Sequence, residues 1–348
     1  MTSSASPSPY NPAPPKNLLD CLREAKRVLI IGHQSPDGDA MGSALALGLA
    51  LSDLGGQVTV GHAGTFPKSL EFLTMGKSFV APLPFGENLP TELAAKFDLM
   101  VLVDCQTPLR VWPDADRLPG VSFPPFAVID HHADNAAAGC LASFVDQRAS
   151  ATAELVFKII EALEVEFTPP IVEALLAALI SDTGSFSQAN STAECLRQAS
   201  FLVSKGGDIE YINHYLKRNW SITRMRLLTE TLTTIDLHRD GRLATMVLTQ
   251  EMLNETGSCL AEAEGLVEYP LLLHGVDMVA FFRVNGQGKT RVSLRSRPGI
   301  DVRELARSQG GGGHKQAAAY IDESPLPQVA LKRLLSLLDS LDLPEISA

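Results

Sequence analysis

The chain has 348 residues, 45% of them hydrophobic and 20% charged, with a net charge of −11. That length exceeds one ordinary hydrophobic core and suits two domains. An acidic balance argues against gripping long nucleic acid, because phosphate neutralisation needs a basic face. Any anionic substrate is expected to be small and held by a local basic pocket. The five cysteines are scattered and form no CxxC pair, which excludes a disulfide framework and a thiolate zinc site.

In chain order, the start MTSSASPSPYNPAPPKN lacks the basic-then-apolar order of a signal peptide and reads as a disordered tail over residues 1–17. With no apolar run of membrane-spanning length, the expected location is cytoplasmic, away from membranes. Arg27–Gly32 is a compact apolar strand, and Ala40–Leu54 is an apolar helix stopped by Gly55-Gly56. Gln57–Gly61, Leu99–Asp104 and Phe126–Asp130 read as further strands, and Ala151–Leu163 and Pro170–Ser181 as helices. Strands alternating with helices predict an α/β fold whose mostly parallel sheet carries helices on both faces. Ligands in such sheets bind beyond the C-terminal strand ends. Asp208 to Thr234 reads as one amphipathic connecting helix. Strands at Leu243–Leu248, Met278–Val284 and Thr290–Arg297 follow, then a helix at Asp301–Ser308, Gly310–Gly313, a strand near Gln316–Ile321 and a helix at Pro325–Leu341. The expected domains are residues 18–205 and a smaller α/β unit over 236–345, joined by a linker helix over 206–235.

Four acidic and histidine clusters sit at the ends of these apolar segments: His33-x3-Asp37-x-Asp39, Asp104, Asp130-His131-His132 and Asp182. Burying so much negative charge is costly unless cations compensate it, and bound metal is the simplest compensation. Each segment has a structural alternative. Ser35-Pro36-Asp37-Gly38-Asp39 is also a good capped turn, with Asp39 near the helix start. Asp104 and Asp182 taken singly are ordinary element ends. Two histidines directly after an aspartate at a buried strand end favour a site over a loop. Cys105, next to Asp104, reads as a small buried hydrophobe.

Taken together, the segments resemble the DHH phosphoesterase superfamily. His33 through Ser43 matches its first motif, Val103-Asp104 the second, Asp130-His131-His132 the third and Asp182-Thr183-Gly184 the fourth, in the family's order over roughly residues 18–200. The resemblance implies a two-metal site. His33 and Asp37 would hold one ion, Asp39, His131 and Asp182 the other, and Asp104 would bridge them. Asp130 would orient a histidine and His132 would meet the scissile phosphate. Histidine and carboxylate ligands suit Mn²⁺, Mg²⁺ or Co²⁺, and the family weights the choice toward Mn²⁺. Hydrolysis would proceed by attack of a metal-activated hydroxide on phosphorus.

In the second domain, alternation puts Arg291, Ser293, Arg295 and Arg297 on one face of their strand. Guanidinium suits phosphate, although a solvated edge strand is the better reading for Arg291 and Arg297. Gly310–Gly313 with His314 is either a flexible loop or a backbone cradle for an anion. It resembles the glycine-rich motif of the DHHA1 domain, and Ser293-Leu294-Arg295-Ser296 that domain's substrate-binding strand. The resemblance implies that Arg295, Gly312, Gly313 and His314 bind substrate, with the active site in the interdomain cleft.

The whole chain most resembles DHH–DHHA1 proteins of the nanoRNase type. That implies hydrolysis of short oligoribonucleotides to mononucleotides and of 3′-phosphoadenosine 5′-phosphate to AMP, with homodimerisation a family property. A cyclic or linear dinucleotide phosphodiesterase shares every motif. A RecJ-type exonuclease would want an extra OB-like domain or basic track, and a family II pyrophosphatase a different C-terminal domain. A non-catalytic nucleotide-binding regulator would show degenerate metal ligands, and none is missing.

Overall fold

A computed structural model describes residues 12–63, 66–75, 79–83, 89–112, 122–132, 139–284, 288–313 and 315–340. Most of the N-terminal segment read as a disordered tail, and His314, lie outside the described residues. The chain divides into two compact units, Met1–Asn219 and Trp220–Ala348.

The first unit runs α1 (Lys16–Glu24), β1 (Arg27–Ile31), α2 (Gly38–Asp53), β2 (Gln57–His62), α3 (Glu71–Thr74), β3 (Val80–Pro82), α4 (Leu89–Lys96) and β4 (Leu99–Val103). It continues through β5 (Phe126–Asp130), β6 (Ala142–Val145), α5 (Thr152–Ala162), α6 (Pro169–Asp182), α7 (Ala193–Ser204) and α8 (Ile209–Asn213). Its six strands lie in the order β3-β2-β1-β4-β5-β6. Every pair is parallel. Val28–Ile31 of β1 and all of β4 are apolar and buried because the sheet is covered on both sides. Val28, Ile30, Val101 and Val103 join one core, while Leu29, Ile31, Met100 and Leu102 join the other. Strand order reverses at β1/β4, so the crevice beyond their C-terminal ends is where this topology leaves room for a ligand.

Helix α2 packs along α6 and also against β1, β2 and α5. This explains why GDAMGSALALGLALSD is apolar on all sides rather than striped. Small residues bring the two helices together. A Cβ on Gly42 would collide with the Ala174 carbonyl oxygen and lie 2.9 Å from the Ala178 Cβ. The partners α2 and α6 carry ligand candidates at opposite termini, Asp37 and Asp39 at the start of α2 and Asp182 at the end of α6.

The second unit contains α9 (Ile222–Leu232), β7 (Asp236–His238), β8 (Leu243–Leu248), α10 (Gln250–Thr256), β9 (Met278–Val284) and β10 (Thr290–Ser296). It ends with α11 (Val302–Ser308), β11 (Gly312–Gly313), β12 (Ala317–Asp322) and α12 (Pro327–Ser340). The sheet order is β11-β12-β10-β9-β8-β7. It is antiparallel except for the β8–β9 pair.

Three sequence expectations change here. The segment expected to be one linker helix is divided: α8 runs into a π-helical turn at His214–Arg218, the chain breaks at Asn219, and Ser221 caps a new helix by accepting from the Arg224 N–H. The strand carrying Arg291 and Arg295 is not an edge. It lies between β9 and β12. Arg297 sits just beyond it and donates to the carbonyl oxygens of Val276, Leu271 and Leu273, a structural role.

Candidate metal centre

The C-terminal ends of β1, β4 and β5 and the adjoining termini of α2, α5 and α6 bring the four sequence clusters together. Asp37 is the residue that caps α2, accepting from the Ala40 N–H at 3.0 Å. Asp39, expected near that cap, is instead fully buried one step inside the helix. Its carboxylate accepts from the N–H groups of Thr152 at 2.7 Å and Ala153 at 3.1 Å, and from the Ser43 hydroxyl at 3.1 Å. The first turn of α5 therefore spends its otherwise unpaired donors on this side chain.

Asp104 follows β4 with φ +58°, a left-handed conformation that Asp tolerates better than most residues. The Asp104 N–H donates to the Ile129 carbonyl at 3.0 Å, and Thr152 Oγ1 donates to its Oδ1 at 3.0 Å. Its two carboxylate oxygens face two ways. Oδ2 lies 3.3 Å from His33 Nε2 and Oδ1 lies 3.5 Å from His131 Nε2. That is the orientation a bridging carboxylate requires. His33 Nε2 is also 3.6 Å from Asp37 Oδ2. His131 Nε2 is 3.9 Å from Asp39 Oδ2 and 3.6 Å from Asp182 Oδ2, while its Nδ1 meets the Ala149 carbonyl at 3.3 Å. Asp130 does not join these groups. Its Oδ1 holds His132 Nδ1 at 2.6 Å and the His132 N–H at 3.1 Å. Gln106 Nε2 donates to the His132 carbonyl at 3.0 Å.

Three sets of residues bring one donor atom each to within 4.8 Å of one another: His33/Asp37/Asp104, Asp39/His131/Asp182 and Asp104/His131/His132. The electrostatics fit cations. Burial, with Asp104 and Asp37 nearby, pushes the Asp39 carboxyl well above its usual range. Burial does the same to Asp182, with His131 opposing and Asp39 and Asp104 adding. Without metal, His33 and His132 supply compensating charge. Burial would lower His33, but Asp104 and Asp37 raise it to about 10. Burial likewise opposes, and Asp130 and Asp104 overcome it, to raise His132 to about 9. Asp37 is drawn down to about 2 by the His33 hydrogen bond and charge against the effect of burial. A pocket that raises the proton affinity of Asp39, Asp182, His33 and His132 is one that divalent cations would relieve, and its donor atoms are nitrogen and oxygen alone. Cys105 stays out of it. Its thiol is buried and pushed up by burial and by the Asp104 charge.

A protein-family model for the DHH family, N-terminal domain, matches residues 27–181, and one for the DHHA1 domain matches residues 256–340. The chain is 33% identical over 292 residues to the bifunctional oligoribonuclease and PAP phosphatase NrnA of Thermus thermophilus, covering 84% of this chain and 82% of that protein. It belongs to the DHH family. The chain is also similar to the cyclic-di-AMP phosphodiesterase PdeA of Listeria monocytogenes, 25% identical over 93% of this chain but only 49% of that protein. The fold is similar to that of an exopolyphosphatase-related protein from Bacteroides fragilis, with a TM-score of 0.83 at 25% identity, covering 93% of this chain and 95% of that one.

In the DHHA1 unit, Arg295 lies on β10 and its Nε donates to Glu268 at 2.6 Å. Gly312 and Gly313 form a short strand paired with Ala319 and Ala318 rather than an open loop. Gly313 has φ +140°, which strains any residue with a Cβ. Sequence reasoning gave no site role to Thr152 and Ala153, which hold Asp39 and Asp104. Nothing in the sequence marked them, because both hold Asp39 through backbone N–H groups that any residue but proline carries.

Proposed function

We propose that this DHH protein is a two-metal phosphoesterase that hydrolyses short oligoribonucleotides to mononucleotides and 3′-phosphoadenosine 5′-phosphate to AMP. The observation that carries the reading is Asp104, whose two oxygens face two separate ligand sets, in a chain similar to NrnA along most of both sequences. In this reading His33 and Asp37 hold one ion, Asp39, His131 and Asp182 the other, and Asp104 both. The ion we favour is Mn²⁺, with Mg²⁺ and Co²⁺ fitting the same donors. When bound, the two ions lower the pKa of water and stabilise charge on the phosphoryl oxygens.

The chain's own residues do the rest. The Thr152 and Ala153 N–H groups hold Asp39, and Thr152 Oγ1 holds Asp104, so both carboxylates are oriented before substrate arrives. Asp130 fixes the His132 ring through Nδ1 and keeps it protonated, so that Nε2 would donate to the scissile phosphate. Arg295, with Gly312, Gly313 and His314, would bind the far phosphate of the substrate, Arg295 exchanging Glu268 for it. Small nucleotides, rather than long polymers, match the acidic balance of −11. We further propose a cytoplasmic homodimer. No helix among the described residues is long and apolar enough to cross a membrane.

The similarity to PdeA supports a second reading, hydrolysis of cyclic or linear dinucleotides. A product time course with Mn²⁺ decides between them, using 5′-labelled RNA of two to five nucleotides, 3′-phosphoadenosine 5′-phosphate, cyclic di-AMP and pyrophosphate. Stepwise mononucleotide release is expected. Turnover of the cyclic compound alone would replace this reading with the second, and tight binding without turnover would make the protein a regulator. Asp104→Ala should abolish hydrolysis in a folded protein, and retained activity would refute the site.

A further inference from the structure

Glu154 stands beneath the metal centre and contacts none of its ligands. It occupies the third position of α5 and is wholly buried. Its Oε1 accepts from the Ser150 N–H at 2.7 Å and from Thr192 Oγ1 at 3.4 Å. Oε2 meets no hydrogen-bond donor among the described residues. A buried acidic side chain with one unpaired oxygen is costly to keep, so what it holds matters.

It holds the 149–153 segment leading into α5, whose contacts gather on one ligand set; its one contact with the bridging Asp104, from Thr152 Oγ1 at 3.0 Å, is to Oδ1, the oxygen that faces His131. The Ala149 carbonyl meets His131 Nδ1. The Thr152 and Ala153 N–H groups hold Asp39. Ser150 Oγ donates to the Asn190 carbonyl at 2.5 Å, and Asn190 Nδ2 donates to the Ser150 carbonyl and the Asp182 carbonyl, both at 3.0 Å. Asp39, His131 and Asp182 are one of the three donor sets. His33 and Asp37, by contrast, are fixed from β1 and the α2 cap, and their contacts lie with each other, Asp104 and Ala40.

We infer that Glu154 is a positioning residue for one metal ion only, the one held by Asp39, His131 and Asp182, acting through the Ser150 N–H and the loop it anchors. This deepens the two-metal reading and rests on it. Burial pushes the Glu154 carboxyl above its usual range against the opposing Ser150 hydrogen bonds. Its Oε1 acts as an acceptor toward Ser150 and Thr192, a role that a glutamine amide oxygen can also fill.

Mn²⁺ titration of the full chain tests this, followed by calorimetry and by the spin-coupled signal in electron paramagnetic resonance. The wild type should take two ions and show the coupled pair. Glu154→Ala should bind one ion as the wild type does and the other about 10-fold more weakly, the low end of the effect of losing a partner of a metal ligand, because Glu154 acts one contact further out. Glu154→Gln should restore both. Equal weakening of both ions in Glu154→Ala would reduce Glu154 to general stability and overturn the inference, as would two ions bound with unchanged affinity. If circular dichroism shows Glu154→Ala unfolded, Glu154→Asp, whose carboxyl is withdrawn by one methylene, is judged by the same criterion. A wild type that binds fewer than two ions would instead refute the two-metal reading itself.

Discussion

Gly42→Ala sets two elementary rules against each other. Inside an α-helix, alanine is favoured over glycine by about 1 kcal/mol, so propensity alone predicts a more stable protein. Packing predicts the reverse. The new methyl would collide with the Ala174 carbonyl oxygen and lie 2.9 Å from the Ala178 Cβ and 3.2 Å from the Ala178 nitrogen. These are atoms of a buried helix, with little freedom to give way. Overpacking of this kind costs about 1–3 kcal/mol, and a backbone obstacle places it at the upper end. After the propensity gain, the net loss should be about 2 kcal/mol. The same displacement separates α2 from α6, hence Asp39 from Asp182, which belong to one donor set. The assay is equilibrium urea unfolding, with Mn²⁺ titration of the same sample. The midpoint should fall and at least one ion should bind more weakly. Gly48→Ala on the same helix is the control, since its new methyl meets chiefly a Val60 methyl, at 2.8 Å. A Gly42→Ala protein with unchanged or raised midpoint and intact metal binding would refute the claim that close helix approach shapes the site.

Two pH predictions follow from the perturbed groups. Asp39 and Asp182 have raised folded-state pKa values, and His33 rises from 6.5 to about 10. All three hold protons more tightly when folded, so chelator-treated protein should lose stability as pH climbs from about 4 towards 10. Added Mn²⁺ should reverse that loss and release protons on binding; melting curves at pH 6 and pH 9 with and without chelator would show it, and a flat metal-free profile would contradict it. Glu194 behaves oppositely. Its pKa is drawn down to about 2, first by the Arg197 hydrogen bond and, against some burial, by Lys158, which it meets at 2.8 Å. Its contribution is present above about 4.5 and lost as pH falls through 2. Discounted for solvent screening, it amounts to about 1 kcal/mol. Glu194→Gln should therefore show a shallower decline in urea midpoint between pH 5 and pH 3 than the wild type; parallel declines would refute the assignment.

The sequence determined much of this protein by itself. Val28–Ile31 and Leu99–Val103 read as strands buried on two sides because unbroken apolar runs this short and rich in Val, Leu and Ile suit a covered parallel sheet. The positions of His33, Asp104 and Asp130–His132 just beyond apolar runs already placed them at strand ends, since charged groups there need a reason. Tertiary structure decided the rest. Which of Asp37 and Asp39 caps α2 depends on where α5 puts its free N–H groups, and those are carried by any residue, so Thr152 and Ala153 left no mark in the chain. The linker breaks at Asn219 and Ser221 because hydrogen bonds of the Ser221 hydroxyl start a new helix, a choice that amphipathic periodicity does not register. Arg291 and Arg295 alternate as they would on any strand, and only strand pairing could make that strand central. Periodicity reports what faces a core. The direction of a single carboxylate is settled by backbone donors that arrive from more than a hundred residues away, as those of Thr152 do for Asp39.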